Sequence, residues 1–532
     1  MAPRSLFFPG ILLPALLFAF HARAEPECPG GSGCAPQFNE KSKPYSRPPQ
    51  SPAAQATRRL STSIEQARSL FDRRDQAGAG RILDDVMRDP GFQALPAKDR
   101  RLAWAVQARI DMSAQRYDRA VEGLTRANAA DDSDPDIWYW LAMVEDARGK
   151  PEAAARAFTE LAERWPELLA NIEPREVYRL QSRVAEGSQA KVDFLQTLLD
   201  AKWDDPTGDA SALWHLLALL RLERGEPVAA RAAMRRIVHP DLIVSMRSDR
   251  RFDAVVERNG WAFNVERAAV RAVEAMQEKT EARPDDLDAK VQLTYALLDA
   301  GDHEGLIRLV DGVLASDDGS GREAADGNAE RTPSQHAWLL NNRAVALYRL
   351  GRTQEALADM ERARRLPTRN GPNVSQTLNL GEFHCTLGRA ADAKRMADAV
   401  DAGPVSDYGR MFQARVRLCA AWLSRDARGM RRAFATIRKG RAHSEEIHLD
   451  ALVMLERLDE AAQALIALLD APRERADILQ ALQSYREVAP TPTLQRLRSQ
   501  REALLARDGV KAAIERVGRR ERYGVYFGAG FD

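Results

Sequence analysis

The stretch that decides the fold is residues 338–367, WLLNNRAVALYRLGRTQEALADMERARRLP. Apolar residues recur in it at steps of three and four, beginning with Leu340, Ala344 and Leu347 and continuing through its second half. Such spacing predicts two short amphipathic helices, each with one buried stripe. Gly351 suits the turn between them because glycine adopts positive φ without a Cβ clash. A helix pair this small cannot bury its own apolar faces, so it must stack on similar pairs.

Similar pairs recur along the chain. Trp104 and Trp138 lie 34 residues apart, and Trp214 begins another good copy. The residues that follow share one pattern of sizes: Ala108, Ala120 and Leu124 after Trp104, and Ala142, Ala154 and Phe158 after Trp138. These spacings resemble those of the tetratricopeptide repeat (TPR) family over roughly residues 60–470. The resemblance implies an all-α fold, an α-solenoid of stacked helix pairs that winds as a right-handed superhelix.

Shifts in composition divide the chain further. A Pro- and Ser-rich stretch precedes the helices, a Gly-, Asp- and Ser-rich stretch interrupts them, and the repeat pattern fades after Pro472. Segments with such compositions are typical of linkers. We therefore predict a signal peptide at 1–24, a disordered linker at 25–56, TPR-like repeats at 57–315, a flexible linker at 316–334, further repeats at 335–471, and capping helices with a short strand-like tail at 472–532.

The N-terminal residues predict export. Arg4 provides a positive start, residues 6–20 are mostly apolar, and Ala22-Arg23-Ala24 is a small-x-small cleavage pattern before Glu25. These features are typical of a secretory signal peptide. The alternative is that the apolar run is retained as a membrane anchor.

The four cysteines fall into two pairs. Cys28 and Cys34 flank a Gly-rich loop that can close as a small disulfide in an oxidising compartment. Cys385 and Cys419 lie inside helical patterns, where we expect buried free thiols.

Charge and motifs give no sign of catalysis or nucleic-acid binding. Lys plus Arg number 78 and Asp plus Glu number 77, so the chain has no basic excess for nucleic acid. The sequence contains no Gly-rich phosphate loop, H-E-x-x-H, C-x-x-C or G-x-S-x-G motif. The densest group of potential metal ligands, around His443 and His448, has a spacing that does not align the two rings on one helix face. We therefore predict no enzyme activity, no cofactor and no metal.

The TPR resemblance implies one functional surface, a concave groove lined by the first helices of successive units. Carried onto this sequence, the groove positions form a mixed apolar and polar surface suited to an extended or helical peptide. The candidate partner-binding residues are Arg109, Met112, Tyr139, Met143, Asp146, His215, Leu219, Leu222, Asn341, Val345, Tyr348, Arg349 and Glu382. Asn342 and Asn379, at a neighbouring repeat position, are expected to be structural.

These observations favour an exported scaffold or adaptor that binds a protein or peptide partner in the bacterial periplasm. The first alternative is an accessory subunit of an envelope polysaccharide-export or secretion machine at the outer membrane. The second is an enzyme with a cryptic site in residues 241–264 or beyond residue 472, which no catalytic motif supports.

Overall fold

The computed structural model describes residues 51–206, 209–257, 260–317, 332–366, 368, 373–400 and 405–526. The predicted signal peptide, most of the two predicted linkers and the Cys28–Cys34 pair lie outside these residues, so those predictions stay predictions. The chain divides into two compact units, with the boundary in the sequence between Arg148 and Gly149. None of the described helices is long and apolar enough to cross a membrane.

The first unit consists of helix pairs. Its α-helices are α1 (Pro52–Asp72), α2 (Gln76–Arg88), α3 (Ala97–Ser113), α4 (Tyr117–Ala130) and α5 (Pro135–Ala147). The helices α1 and α2 pack side by side, as do α3 and α4, and α3 also packs on α1. The buried residues Ile64, Leu83 and Leu124 come from the apolar stripes that the repeat pattern predicts.

The second unit contains the remaining helices. Its first part holds α6 (Pro151–Arg164), α7 (Pro174–Arg183), α8 (Gln189–Asp200), α9 (Ser211–Glu223), α10 (Pro227–Met234), α11 (Pro240–Ser248), α12 (Val265–Ala282), α13 (Leu287–Ala300) and α14 (His303–Asp317). Its later part holds α15 (Thr332–Arg349), α16 (Thr353–Arg365), α17 (Val374–Thr386), α18 (Ala390–Ala399), α19 (Asp407–Leu423), α20 (Ala427–Lys439), α21 (Glu445–Met454), α22 (Leu458–Asp470), α23 (Arg475–Ala481), α24 (Pro492–Leu505) and α25 (Asp508–Val517).

The contacts between these helices are those of a solenoid. The first helices of successive pairs, α13, α15, α17, α19 and α21, each pack on the next one in the series. The second helices α14, α16, α18 and α20 fill between a pair and its successor, because each packs on the following first helix. The predicted all-α solenoid of helix pairs is therefore confirmed.

The turns within pairs adopt the predicted left-handed conformation. Gly301, Gly351 and Gly388 have φ of 81°, 80° and 72°. Arg425 and Glu456 hold the same turn position in later pairs with φ of 57° and 59°, although they carry a Cβ atom. The turn geometry is thus kept even where the sequence lacks glycine.

A ladder of polar side chains joins three successive first helices. Asn342 donates to Thr294 Oγ1 (2.8 Å), Asn341 donates to Asn342 Oδ1 (3.1 Å), and Asn379 donates to Asn341 Oδ1 (3.0 Å). Thr294, Asn341 and Asn342 are buried. Buried amides need such partners, so the ladder fixes how α13, α15 and α17 align.

The last helices return to the stack instead of extending it. Helix α23 packs on α11, α24 packs on α17 and α21, and α25 packs on α22. We expected polar-faced caps over the end of the solenoid. In the structure these helices also reach the side formed by the first helices, and they carry the chain back towards residues 240–253.

The expectation of free thiols at Cys385 and Cys419 was wrong, because the structure joins them in a disulfide. They are 34 residues apart with Cα atoms 6.1 Å from each other, on α17 and α19. The repeat explains the pairing, since equivalent positions of consecutive units lie side by side on neighbouring first helices. A Cα separation of this size is ordinary for disulfides.

Two helical glycines, one crowded and one open, test whether the repeat requires a small residue where its helices pack closely. A Cβ at Gly381 would lie 2.9 Å from Val416 Cγ1 and 3.2 Å from Met396 Cβ, whereas nothing lies within 4 Å of one at Gly312. We expect Gly381→Ala to lower the free energy of unfolding by about 1–3 kcal/mol through overpacking. The matched control Gly312→Ala should raise it by roughly 0.5–1 kcal/mol through helix propensity. Urea unfolding measures both, and a stabilising Gly381→Ala would contradict the packing explanation.

Candidate partner-binding groove

Residues 518–526, here called the closing segment, lie against the first helices of the second unit. They contact α11 and the residues after it, the C-terminal end of α13, Arg349 at the end of α15, and residues 483–486 after α23. We call the surface formed by these elements the inner groove. The sequence placed candidate groove residues on α15, and the structure shows which segment of the chain already lies there.

Main-chain hydrogen bonds hold the closing segment along its length. The Arg519 amide donates to the Ser248 carbonyl (3.0 Å), and the Tyr526 amide donates to the Asp299 carbonyl (3.1 Å). Between them, the Tyr523 amide donates to the Ser484 carbonyl (2.9 Å), and Arg522 forms a parallel bridge with Ser484. The segment is therefore recognised as an added strand would be, through its backbone.

Two ion pairs fix the start of the closing segment. The Arg247 guanidinium on α11 donates to Glu521 Oε2 from Nε (3.0 Å) and Nη2 (2.8 Å). Arg519 Nη2 donates to both carboxylate oxygens of Asp253 at 2.7 Å. Charge-assisted bonds of this kind are stronger than neutral ones and are also directional. They set the register in which the segment enters the groove.

Gly518 allows the close approach that begins the segment. It forms an antiparallel bridge with Asp249. A Cβ at this position would lie 2.5 Å from the Ser248 carbonyl oxygen and 2.6 Å from Leu479 Cδ2. Only glycine fits there without a shift of the neighbouring backbone.

Tyr526 is the anchor at the other end. Its ring centroid lies 4.9 Å from that of His303, and the guanidinium carbons of Arg349 and Arg486 lie 4.6 Å and 5.3 Å from it. The side chain is 9% exposed. Cations over an aromatic face are attracted by its quadrupole, more strongly where water is excluded.

The predicted groove residues of α15 and α17 have four different surroundings. Arg349 contacts the anchor Tyr526, whereas Tyr348 packs edge-on against Phe383 with centroids 5.2 Å apart. Asn341 and Val345 are buried in the stack of first helices. Glu382 pairs with Arg415 on α19 at 2.5 Å. Of this set, the structure brings Arg349 into contact with the closing segment.

Helix α9 carries three further candidate groove residues, His215, Leu219 and Leu222. His215 stacks on Phe252 with centroids 5.2 Å apart, and its Nε2 lies 3.3 Å from Ser245 Oγ. Burial lowers the pKa of His215 to about 4. The residues after α10 therefore cover His215, whereas Leu219 and Leu222 are partly buried.

The first unit presents a separate surface. Its first helices place the Arg109 guanidinium between two aromatic rings, 4.5 Å from the Phe71 centroid and 5.5 Å from that of Trp140. Burial lowers the pKa of Arg109 from its ordinary value. The partly buried residues of this surface, here called the first-unit face, are Phe71, Arg109, Met112, Tyr139, Trp140 and Met143. Asp146, the remaining candidate, is buried.

One group of potential metal ligands was missed by the sequence analysis. Within the described residues, His239, Asp241 and Asp299 bring ligand atoms within 4.8 Å of one another. His239 Nδ1 accepts from the Asp241 amide (3.3 Å) and so caps the N-terminus of α11. No local motif links residues that lie on α11 and α13, which explains why the sequence did not show this group.

The closing segment itself was also missed as a groove occupant. The alternation of aromatic and small residues in 523–531 indicated a short strand-like tail, but a pattern of period two does not show which surface a lone strand pairs with. The Arg247–Glu521 pair spans 274 residues. Contacts at that separation leave no local pattern in the sequence.

Comparisons with known proteins give weak likenesses. No family profile and no curated protein matches the chain. Among solved structures, a tetratricopeptide repeat protein from Parabacteroides merdae has a TM-score of 0.24 and 13% identity, and the match covers 68% of this chain and 98% of that one. Naa15/Naa10 bound to HypK has a TM-score of 0.24, 14% identity and coverage of 86% and 79%. The TPR domain of P58(IPK) has a TM-score of 0.18, 14% identity and coverage of 75% and 98%. The contacts between successive helix pairs establish the solenoid fold.

The contact between His303 and Tyr526 should make the free energy of unfolding depend on pH. Burial, followed by the charges of Arg349 and Arg486, lowers the pKa of His303 to about 4, against an ordinary value of 6.5. The folded state thus favours the neutral ring, and its stabilising effect is complete above pH 6.5. It is lost as the pH falls towards 4, by up to about 3 kcal/mol.

Urea unfolding between pH 4 and 7 measures this dependence. We expect His303→Gln to flatten the pH dependence of the free energy of unfolding relative to the wild type, because the substituted side chain does not titrate in this range. An unchanged slope in His303→Gln would show that the histidine does not titrate as its surroundings require.

Proposed function

We propose that this protein is an exported, non-enzymatic scaffold that holds an extended segment of a partner protein against the first helices of its repeats. One observation carries the proposal: the inner groove already holds an extended segment, residues 518–526, through main-chain bonds, ion pairs and an aromatic anchor. A surface that binds one such segment within the chain has the chemistry to bind another.

The first-unit face is a second surface that we assign to the partner, because the closing segment already occupies the inner groove. It combines aromatic rings, methionines and one guanidinium, and Tyr139 and Met143 are only partly buried. Aromatic residues and arginine are enriched where proteins bind one another, and methionine adapts its shape to different ligands. The face therefore suits an apolar or aromatic stretch of protein.

The disulfide supports a periplasmic location. Cys385 and Cys419 are 2% and 3% exposed and are joined within the core of the later repeats. Disulfides persist in oxidising compartments such as the periplasm and are rare in the cytosol. Together with the signal-peptide pattern of residues 1–24, this supports export.

Crosslinking in living cells tests the proposal. A photoreactive phenylalanine derivative at Tyr139 or Met143 should capture one recurrent partner protein upon irradiation, because both positions lie on the first-unit face. The matched control is the same group at Glu122 on α4, whose side chain is 60% exposed. It should not capture that protein.

Recovery of the same products from Glu122 as from Tyr139, or of none from either position on the face, would contradict the proposal. The crosslinked cells are then fractionated by osmotic shock. Release with the soluble periplasm is expected for a free scaffold. Retention of the crosslinked pair with the outer membrane would favour the alternative role as an accessory subunit of an envelope machine.

A further inference from the structure

We propose that residues 519–526 are an internal ligand of the inner groove, and that they occupy the site of a partner segment carrying the same pattern, a carboxylate two residues before a tyrosine and a second aromatic ring three residues beyond it. This inference rests on the proposed function, and it names the chemistry and the regulation of one of its binding surfaces. The partner is an extended protein segment, and the closing segment excludes it until displaced.

The first argument is that recognition depends mainly on backbone atoms and can be reproduced by another chain. The amides of Arg519, Tyr523 and Tyr526 donate to carbonyls of Ser248, Ser484 and Asp299. The Arg486 amide donates in turn to the Val525 carbonyl at 2.8 Å. Any extended peptide offers the same groups at the same intervals, so these bonds supply affinity without selecting a sequence.

The second argument is that specificity comes from a few side-chain positions. Glu521 accepts from Arg247 and also from the Tyr523 hydroxyl (3.0 Å), so carboxylate and ring are read together. Val525 is 3% exposed, and Tyr526 sits between His303 and Arg349. A partner segment must therefore supply an acid, a tyrosine and a distal aromatic ring at the spacing E-x-Y-x-x-Y.

The third argument is that the groove wall is complete without the closing segment. Arg349 Nη1 donates to the Leu298 carbonyl (3.1 Å), and Arg247 Nη1 donates to the Phe263 carbonyl (3.3 Å). Arg247 and Arg349 thus keep contacts with the repeats themselves. The repeats also have their own core on α13, α15 and α16. Release of the segment would leave a groove that presents Arg247 and Arg349 together with the carboxylate of Asp253.

The exchange is tested with full-length protein and a labelled peptide copying residues 519–526, RRERYGVY. In the double variant Glu521→Gln/Tyr526→Ala the internal ligand is weakened, whereas the groove residues are untouched. We expect this variant to bind the peptide at least about 100-fold more tightly than the wild type, where the covalently attached segment competes at a high effective concentration. A peptide with the same two substitutions should not bind.

The control variant is Arg516→Ala, which removes an ion pair between α25 and Asp470 outside the segment. It should behave like the wild type. A double variant that keeps its circular dichroism and the Cys385–Cys419 disulfide but binds no peptide would overturn the proposal, and so would equal binding by wild type and double variant.

Amide hydrogen exchange measured on the wild-type protein gives a second test, which does not require the double variant to fold. The amides of Tyr523 and Tyr526 should exchange faster than those of α13 and α15, through local opening. Exchange of these amides only upon global unfolding would also overturn the proposal. Neither outcome bears on capture at the first-unit face, so failure of the internal-ligand proposal is distinguishable from failure of the scaffold proposal.

Discussion

The pairing of Arg247 with Glu521 is the contact on which the path of the closing segment depends. A stack of helix pairs is held by contacts between neighbouring pairs, so segments far apart along the stack do not normally touch. Here a guanidinium on α11 and a carboxylate after α25 are joined, with side chains 17% and 21% exposed. The bond connects α11, in the first part of the second unit, with the chain that follows α25.

Several weaker features follow from that connection. Helix α23 packs on α11, which brings residues 483–486 beside the closing segment. Gly518 allows the chain to pass Ser248 closely, and Gly301 does the same for Tyr526, since a Cβ there would lie 3.1 Å from the ring. In this unit, some of the side chains that line the inner groove hold the closing segment. This explains why the first-unit face is the more direct candidate for a partner.

The sequence predicted what depends on local spacing. Helix pairs and left-handed turns follow from residues a few positions apart, and the structure agrees. The structural role of Asn342 and Asn379 was also predicted, although the ladder that joins them through Asn341 was not. The disulfide was missed because repeat spacing places Cys385 and Cys419 side by side without showing that the thiols bond. The closing segment was missed because its partners lie hundreds of residues away, where periodicity carries no information.

A double-mutant cycle between Arg247 and Glu521 tests the central claim most directly. The free energy of unfolding is measured for Arg247→Ala, Glu521→Gln and the double variant, so that the loss of other Arg247 contacts cancels. We predict a coupling energy of about 1–3 kcal/mol, as for a hydrogen-bonded ion pair partly shielded from water. A coupling energy within about 0.5 kcal/mol of zero would contradict this claim, since the pair would then contribute nothing to holding the closing segment.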